Sequence, residues 1–360
     1  MINVTKTYLP NKKTFLEYID SIYKNGWLTN NGPLVNKLQH NLEDYLNIKN
    51  LLLVSNGTLA LQIAYKLLKL KGEVITTPFS FVATTSSLVW ENLTPIYSDI
   101  DKNTFNINPH NIQDKVNENT SAIVATHVFG NACDIESINK IATNNNLKVI
   151  YDAAHAFGIN YKESSILLQG DISIVSFHAT KLFHTIEGGA LIINNDELYE
   201  EAKLLINFGI DGPDSIKSIG INAKMNEFQA AMGLSVLKDI PKILKNRKNI
   251  YDRYHDELKD FVDFQISTLH GTKNYSYFPI LFKTEKELIS VVDRLNKESI
   301  FPRRYFYPSL NTLPYIKTQN NMPISEDISK RILCIPIYQD LKYNEQSKII
   351  TLIQGNILND

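Results

Sequence analysis

The sequence predicts an α/β protein, with a mostly parallel sheet flanked by helices and a smaller C-terminal α+β domain. Up to about Gly233, short apolar segments rich in β-branched residues alternate with longer segments of helical period. This alternation is typical of parallel strands joined by crossover helices. Beyond that point, long polar helical segments and isolated strands replace it. We therefore predict a large domain over residues 1–238 and a small domain over residues 239–360.

Seven short apolar segments predict the strands of the large domain. They are LLLV (51–54), VITT (74–77), PIYSD (95–99), AIVATH (122–127), KVIYD (148–152), ISIVSF (172–177) and ALIIN (190–194). Apolar residues at helical spacing predict helices between them, as in TLALQIAYKLLKL (58–70) and IESINKIATNNN (135–146). In the small domain the same reasoning predicts helices within residues 241–261, 285–298 and 344–354, and a strand within YSYFPILF (275–282).

Composition excludes several classes of function. The formal net charge of −1 over 360 residues provides no basic surface for nucleic acid or for an anionic membrane. The N-terminus lacks the basic and apolar regions of a signal peptide, and no apolar segment is long enough to span a bilayer. Cys133 and Cys334 match no metal-site spacing. We expect a cytoplasmic protein with reduced cysteines and no bound metal.

A candidate phosphate-binding turn lies in SNGTLAL (55–61), between a predicted strand and a predicted helix. The backbone N–H groups of Gly57, Thr58 and Leu59 would point out from the start of the helix, where the helix dipole favours an anion. The segment has neither a Walker lysine nor a G-x-G-x-x-G pattern. An Asn-Gly turn that only caps the helix is the alternative.

Asp152 ends the apolar strand KVIYD, at the edge where open α/β sheets bind their ligands. A carboxylate there could hold a protonated pyridine nitrogen and so keep the ring an electron sink. The alternative is a carboxylate that caps the turn AAHAFG. His155, three residues further on, could donate to a ring oxygen or be a hydrogen-bonded core residue.

Lys181 lies in SFHATKLFHTIEGG, in a loop between two predicted strands. Aromatic and apolar neighbours would lower the pKa of its amine and favour the neutral form that imine chemistry requires. Ser176 ends the preceding strand and could donate its hydroxyl to a phosphate. A surface lysine with its amine in water is the alternative, but the order Asp152, Ser176, Lys181 and then Glu-Gly-Gly favours a site.

Together these segments resemble the DegT/DnrJ/EryC1/StrS family of sugar aminotransferases, which are fold type I, aspartate-aminotransferase-like enzymes that use pyridoxal 5'-phosphate. The resemblance extends nearly from end to end. It rests on an ordered set of motifs: GWLTNNGP (26–33), SNGTLAL, TTPFSFVATTSSL (76–88), THVFGNACDIESI, YDAAHAFG, SFHATK, EGGAL, INAKMNEFQAAMG (221–233), RRYFYPSL and CIPIYQDL.

The resemblance implies a role for each matching residue around the cofactor. Lys181 would be the Schiff-base lysine, Asp152 would hold the pyridine nitrogen, His155 would approach the ring oxygen, and Phe81 would stack on the ring. The phosphate would be held by Gly57, Thr58 and Ser176.

The resemblance also implies contributions from outside this constellation. Asn222 would reach the phosphate from the neighbouring subunit, so the protein would be a homodimer with shared active sites. Tyr307 would line the pocket for the sugar nucleotide. Two positions depart from the usual family pattern: Lys224 replaces an arginine, and Ile186 replaces a glycine before Glu-Gly-Gly. Both bear on substrate preference more than on reaction type.

The implied reaction transfers an amino group from L-glutamate to a nucleotide-linked keto-sugar, in the synthesis of O-antigen or another surface glycan. NAKMNE resembles the subgroup that aminates C4 of dTDP-4-keto-6-deoxyhexoses, so dTDP-4-keto-6-deoxy-D-glucose is the expected acceptor. Three alternatives stay open: a 3-keto sugar or inosose acceptor, a sugar dehydratase and a non-enzymatic homologue. The dehydratases carry histidine where this chain has Lys181, which argues against the second.

Overall fold

A computed structural model of the chain describes residues 1–317 and 321–357. Its strands, in chain order, are β1 (Ile2–Asn3), β2 (Leu51–Val54), β3 (Glu73–Thr76), β4 (Thr94–Tyr97), β5 (Thr120–Thr126), β6 (Lys148–Asp152), β7 (Asn160–Tyr161), β8 (Ser164–Ser165), β9 (Ile172–Ser176), β10 (Gly189–Ile193), β11 (Ile210–Gly212), β12 (Ser215–Ile216), β13 (Asp263–Phe264), β14 (Pro279–Leu281), β15 (Ile300–Phe301) and β16 (Ile332–Cys334). Its α-helices are α1 (Lys12–Asn25), α2 (Pro33–Leu46), α3 (Gly57–Leu67), α4 (Val82–Trp90), α5 (Ile135–Asn145), α6 (Asp196–Leu205), α7 (Glu227–Leu237), α8 (Ile240–Leu258), α9 (Glu285–Lys297), α10 (Pro323–Arg331) and α11 (Tyr343–Ile357).

The central sheet has seven strands in the order β2-β10-β9-β6-β5-β3-β4. Neighbouring strands from β9 to β4 are parallel, whereas β10 is antiparallel to both β2 and β9. All seven predicted strands are present, and their bounds differ from the predicted ones by no more than two residues. The α/β class and the mostly parallel sheet are therefore confirmed.

The apolar strand sequences follow from burial on both faces of the sheet. In β2, the side chains of Leu51 and Leu53 belong to one hydrophobic cluster, while Leu52 and Val54 belong to the other. Helices α1, α2 and α7 lie over the first cluster, and α3 and α6 lie over the second. Successive side chains of a strand point to opposite faces, so a strand covered on both sides is apolar throughout.

The C-terminal part has its own core. Apolar side chains of α8, α9 and α11 form one cluster with β14 and β16, and β13, β14 and β16 form an antiparallel sheet. The predicted limits at 1–238 and 239–360 stay a prediction. One contact crosses the predicted limit between the domains, because the N-terminal strand β1 pairs with β15 and Ile2 packs against the C-terminal cluster. The backbone of β1 occupies the edge of a two-residue strand that would otherwise be open.

The topology brings the ends of several strands to one edge of the sheet. Thr126 and Asp152 end the neighbouring parallel strands β5 and β6 and lie opposite each other. Ser176 ends β9 and lies opposite Gly189, where the antiparallel β10 begins. This is the edge at which open α/β sheets bind ligands. Among the described helices, none is long and apolar enough to cross a bilayer.

Candidate active site

A pocket of about 290 Å³ lies at this edge, between the strand ends and a segment of the C-terminal part. Seven of the nine residues predicted for the site line it: Gly57, Thr58, Phe81, Asp152, His155, Ser176 and Lys181. They come from four separate stretches of sequence that the sheet and its loops bring together. Their roles in binding a cofactor stay a prediction, which the geometry below supports.

The SNGTLAL turn opens helix α3 at the wall of the pocket. The Asn56 side chain caps the helix by accepting a hydrogen bond from the Leu59 N–H at 2.9 Å. No acceptor among the described residues meets the N–H groups of Gly57 and Thr58. A Cβ at Gly189 would lie only 2.8 Å from the Gly57 nitrogen, so the turn packs directly on the backbone of β10. The result is a helix N-terminus whose free donors point into a pocket, which suits an anion.

Asp152 is buried at the base of the pocket, with 5% of its surface exposed. One carboxylate oxygen accepts from the Thr84 hydroxyl at 2.7 Å, and the other accepts from the Ala154 N–H at 3.1 Å. The second bond caps the turn that follows β6, so the Asp152 carboxylate both caps this turn and faces the pocket. Burial raises the pKa of Asp152, while the Thr84 and Ala154 hydrogen bonds and the charge of Lys181 oppose that rise. A cation in the pocket would offset the cost of burying this carboxylate.

His155 is a neutral imidazole of defined tautomer. Its Nδ1 accepts a hydrogen bond from the Phe129 N–H at 3.2 Å, so the proton of the neutral ring lies on Nε2. Burial, followed by the charge of Lys181, holds the pKa of His155 well below its usual range. The ring is stacked within 6.2 Å of Phe129 and within 5.7 Å of Phe306. His155 can therefore donate one hydrogen bond from Nε2.

Lys181 lies in the loop between β9 and β10, as the sequence predicted, and its side chain reaches the pocket. Burial lowers the pKa of its amine to about 8, against the opposing effect of Asp152. About a tenth of the amine is then unprotonated and nucleophilic at pH 7, far more than for a lysine of ordinary pKa. Its nitrogen donates a hydrogen bond to the Tyr277 hydroxyl at 3.2 Å.

Phe81 and Ser176 both line the pocket. Phe81 directly precedes helix α4, and its half-exposed ring lines the pocket with no burial in the core. Ser176 ends β9, and its side chain faces Gly57, since a Cβ at Gly57 would lie 3.0 Å from the Ser176 Cβ. The serine hydroxyl is thus placed beside the free N–H groups of the helix turn.

Two predicted residues do not line this pocket. Asn222 is exposed, and its backbone bridges to Asn207 in a segment that also contains β11 and β12. Tyr307 is half exposed, and the Arg304 guanidinium covers its ring at 3.7 Å. The role of Asn222 across a subunit interface and the role of Tyr307 toward the sugar nucleotide both stay predictions.

Several residues at the pocket were not predicted from the sequence. Thr84 holds Asp152, Tyr277 contacts Lys181, and Arg303 and Tyr305 line the wall formed by the C-terminal part. The hydroxyl-rich segment TTPFSFVATTSSL signalled that some threonine or serine faces the site. Which one does so depends on helix α4 beginning at Val82, and the sequence did not show that.

The chain is similar to known proteins over nearly its whole length. Residues 10–354 match the DegT/DnrJ/EryC1/StrS aminotransferase family. The chain is 41% identical to the dTDP-4-amino-4,6-dideoxy-D-glucose transaminase of Shigella dysenteriae, with 98% of each chain covered. It is 38% identical to the transaminase of the same name from Escherichia coli, with 99% of each covered.

Solved structures give the same result. The structure of DesI in the presence of its TDP-sugar product superposes with a TM-score of 0.92 at 29% identity, covering 99% of this chain and 94% of DesI. Helicobacter pylori PseC, an aminotransferase involved in the biosynthesis of pseudoaminic acid, superposes with a TM-score of 0.92 at 26% identity, and both chains are fully covered. These neighbours confirm the fold expected from the resemblance. The chain belongs to the DegT/DnrJ/EryC1/StrS aminotransferase family.

Proposed function

We propose that this chain is a pyridoxal-phosphate-dependent aminotransferase that converts dTDP-4-keto-6-deoxy-D-glucose to dTDP-4-amino-4,6-dideoxy-D-glucose, with L-glutamate as amino donor. The observation that carries the reaction type is the meeting of Lys181 and Asp152 with the free N-terminus of α3 in one pocket. A nucleophilic amine, a buried carboxylate and an anion site are the three groups that this cofactor requires.

The donor set fits the cofactor. Thr126 Oγ1 is buried at the end of β5 with no hydrogen-bond partner among the residues that the structure describes, and Thr126 lines the same pocket as Asp152. Gly57, Thr58 and Ser176 would hold the phosphate, Asp152 the ring nitrogen and His155 Nε2 the ring oxygen, while Phe81 would cover one face of the ring. When bound, pyridoxal phosphate supplies an aldehyde that captures amines and a protonated ring that accepts electrons.

The residues of the chain transfer protons and hold the cofactor and the substrates in position. With its pKa lowered to about 8, the Lys181 amine can take a proton from the α-carbon of the donor and return one to the sugar carbon in the second half of the reaction. Asp152 keeps the ring nitrogen protonated, and Thr84 keeps the Asp152 carboxylate oriented through its hydrogen bond of 2.7 Å. The donors of α3 anchor the phosphate, so the reacting atoms stay aligned.

The choice of acceptor rests on the relatives. Two proteins that match over nearly the whole chain, at 41% and 38% identity, carry the name dTDP-4-amino-4,6-dideoxy-D-glucose transaminase. The NAKMNE segment favours the same C4 chemistry. Tyr307 is proposed to contact the sugar nucleotide, and the principal alternative is an acceptor with its ketone at C3.

A homodimer is part of the proposal. Asn222 lies outside the pocket of its own subunit, on an exposed segment with the apolar side chains of Phe208, Ile216, Ile219 and Ile221. Exposed apolar side chains grouped in this way favour contact with a second protein surface. We propose that this surface packs against a second copy of the chain and brings Asn222 to the cofactor phosphate in the partner's pocket. Location in the cytoplasm and service in O-antigen synthesis stay predictions.

Incubation of the purified protein with pyridoxal phosphate, L-glutamate and either keto-sugar nucleotide tests the proposal. We expect turnover of the dTDP-4-keto sugar, with the amino group at C4 and the gluco configuration identified by NMR, and formation of 2-oxoglutarate in equal amount. The Lys181→Ala variant is the control and should form neither product. Turnover confined to the 3-keto isomer would refute the proposed acceptor, and absence of any transamination would refute the reaction type.

A further inference from the structure

Tyr277 contacts Lys181 and has no part in the roles assigned above. Its hydroxyl oxygen lies 3.2 Å from the lysine nitrogen, which donates to it, and the amine is 5.8 Å from the centre of its ring. The side chain is 8% exposed. In the part of the chain that the structure describes, Lys181 is the hydrogen-bond partner found for this hydroxyl. The contact joins two residues that are 96 positions apart.

The position of the hydroxyl is fixed from several sides. The Tyr277 ring lies 4.5 Å from the His155 ring and 5.9 Å from the Tyr305 ring. The backbone before it is held by the buried Arg247, which donates to the carbonyl oxygens of Tyr275 and Ser276 at 3.2 Å each. These contacts fix the position of the Tyr277 hydroxyl, so a group that is hydrogen-bonded to it is held in one position as well.

We propose that Tyr277 is a positioning residue that holds the Lys181 nitrogen whenever that nitrogen is not bonded to the cofactor. The inference rests on the proposed function, in which the donor amine displaces Lys181 and the freed amine must then accept a proton from the donor. A lysine side chain has four rotatable bonds, so a free amine would otherwise sample many positions. Holding it at one place raises the fraction of reactive encounters.

The hydroxyl can hold the nitrogen in both of its protonation states. Burial raises the pKa of Tyr277 well above its usual value, so the phenol stays neutral. A neutral phenol accepts a hydrogen bond from an ammonium group and donates one to an amine. The titratable groups coupled to Lys181 are Asp152 and His155, from the end of β6 and the turn after it, and Tyr305 from the C-terminal part. The same pocket is also lined by His178, Glu187 and Arg303.

The variant Tyr277→Phe removes the hydroxyl and keeps the ring on His155. We expect the half-reaction with L-glutamate to slow about 10- to 100-fold, since the reacting amine loses its fixed position. The primary isotope effect with glutamate deuterated at the α-carbon should increase, because proton transfer by Lys181 becomes more rate-limiting. Tyr251→Phe is the matched control, because its hydroxyl accepts from Lys273 at 3.4 Å in a second lysine–tyrosine pair outside the pocket. It should leave both quantities unchanged.

A measurement on cofactor-free protein tests the contact without catalysis. The pH dependence of Lys181 acetylation by acetic anhydride, followed by mass spectrometry of its peptide, reports the titration of the amine. A hydrogen bond to an ammonium group is stronger than one to a neutral amine. Loss of the hydroxyl should therefore move the titration to lower pH and speed labelling at pH 7 about two- to fivefold. Tyr251→Phe should match the unsubstituted protein.

An isotope effect and a Lys181 titration that both stay unchanged in Tyr277→Phe would overturn the proposal, even if turnover fell. If the phenylalanine variant does not fold, 3-fluorotyrosine at position 277 keeps the ring and makes the hydroxyl a weaker acceptor. The Lys181 titration should then again move to lower pH, and an unchanged titration counts against the proposal. Failure of the unsubstituted protein to react with glutamate would refute the proposed function instead, and the acetylation experiment would still decide the contact.

Discussion

Replacement of Thr84 by valine tests whether the carboxylate of Asp152 takes part in the chemistry. The Thr84 hydroxyl donates to Asp152 Oδ2 at 2.7 Å, and both residues are buried. Valine has almost the same shape as threonine, so the packing of helix α4 should survive. Among the described hydrogen bonds, the Asp152 carboxylate would keep the one from the Ala154 N–H on its other oxygen, at 3.1 Å.

The expected size of the effect follows from that single bond. A hydrogen bond to a charged group contributes about 1.5–3 kcal/mol. If Asp152 must be ionised and oriented in the transition state, this loss corresponds to about a 10- to 150-fold fall in kcat/KM. The pKa of Asp152, already raised by burial, should rise further, because the bond from Thr84 favours the carboxylate. The acidic limb of the activity profile should therefore move to higher pH.

The assay is the pH profile of kcat/KM for the overall reaction, measured on Thr84→Val and on Thr85→Val. Thr85 is the neighbouring buried threonine on α4, and its hydroxyl meets Tyr97 rather than Asp152. Thr85→Val makes the same change of side chain on the same helix but leaves the hydrogen bond to Asp152 in place. The control should therefore keep activity within about twofold. Equal losses in both variants, or an acidic limb that does not move in Thr84→Val, would refute the reasoning.

Three further changes probe other parts of the account. Asp152→Asn should lower turnover about a hundredfold or more, because an amide cannot hold a protonated ring nitrogen as a carboxylate does; steady-state kinetics measures this. Asn222→Ala should weaken cofactor retention in dialysis, and mixed dimers with Lys181→Ala subunits should regain one intact site. His127 is buried and its pKa is lowered to about 3, so the unfolded chain takes up this proton near pH 6.5 while the folded chain does not. As the pH falls from about 6.5 toward about 3, the free energy of unfolding should therefore decrease by about 1.4 kcal/mol per pH unit because of His127. His127→Gln should reduce this pH dependence, which urea unfolding at several pH values measures.

Near-normal turnover in Asp152→Asn would mean that Asp152 only caps its turn. Mixed dimers without recovered activity would place the action of Asn222 within its own subunit. An unfolding free energy of His127→Gln that keeps the full slope between pH 6 and 4 would mean that this histidine is not held neutral in the folded protein.

The sequence predicted the central sheet well because its strands are buried on both faces. A strand such as Leu51–Val54 then has no polar position, and a continuous apolar segment between turns is easily recognised. Short elements were not predicted. The pairing of Ile2 with Ile300 and the β11–β12 hairpin depend on two or three residues each, too few to produce a periodic pattern.

The candidate site was predictable only where function imposes a residue type on a local motif. Lys181, Asp152 and the SNGTLAL turn each lie next to a strand end, and their order in the chain pointed to one chemistry. Thr84 and Tyr277 do not lie in a local motif that indicates a role at the site. They reach the site from 68 and 96 residues away, through contacts that the packing of α4 and of the C-terminal part determines. One tyrosine among 18 gives no sign of this in the sequence.

Borohydride reduction of the purified protein with pyridoxal phosphate, followed by peptide mapping, tests whether Lys181 is the lysine that binds the cofactor. Reduction makes the bond between the cofactor and its lysine permanent, so the labelled peptide identifies the lysine. We expect a single label on Lys181 and no label in Lys181→Arg, which should fold but not turn over. A label on Lys203 or Lys224 instead would contradict the assignment of the active site.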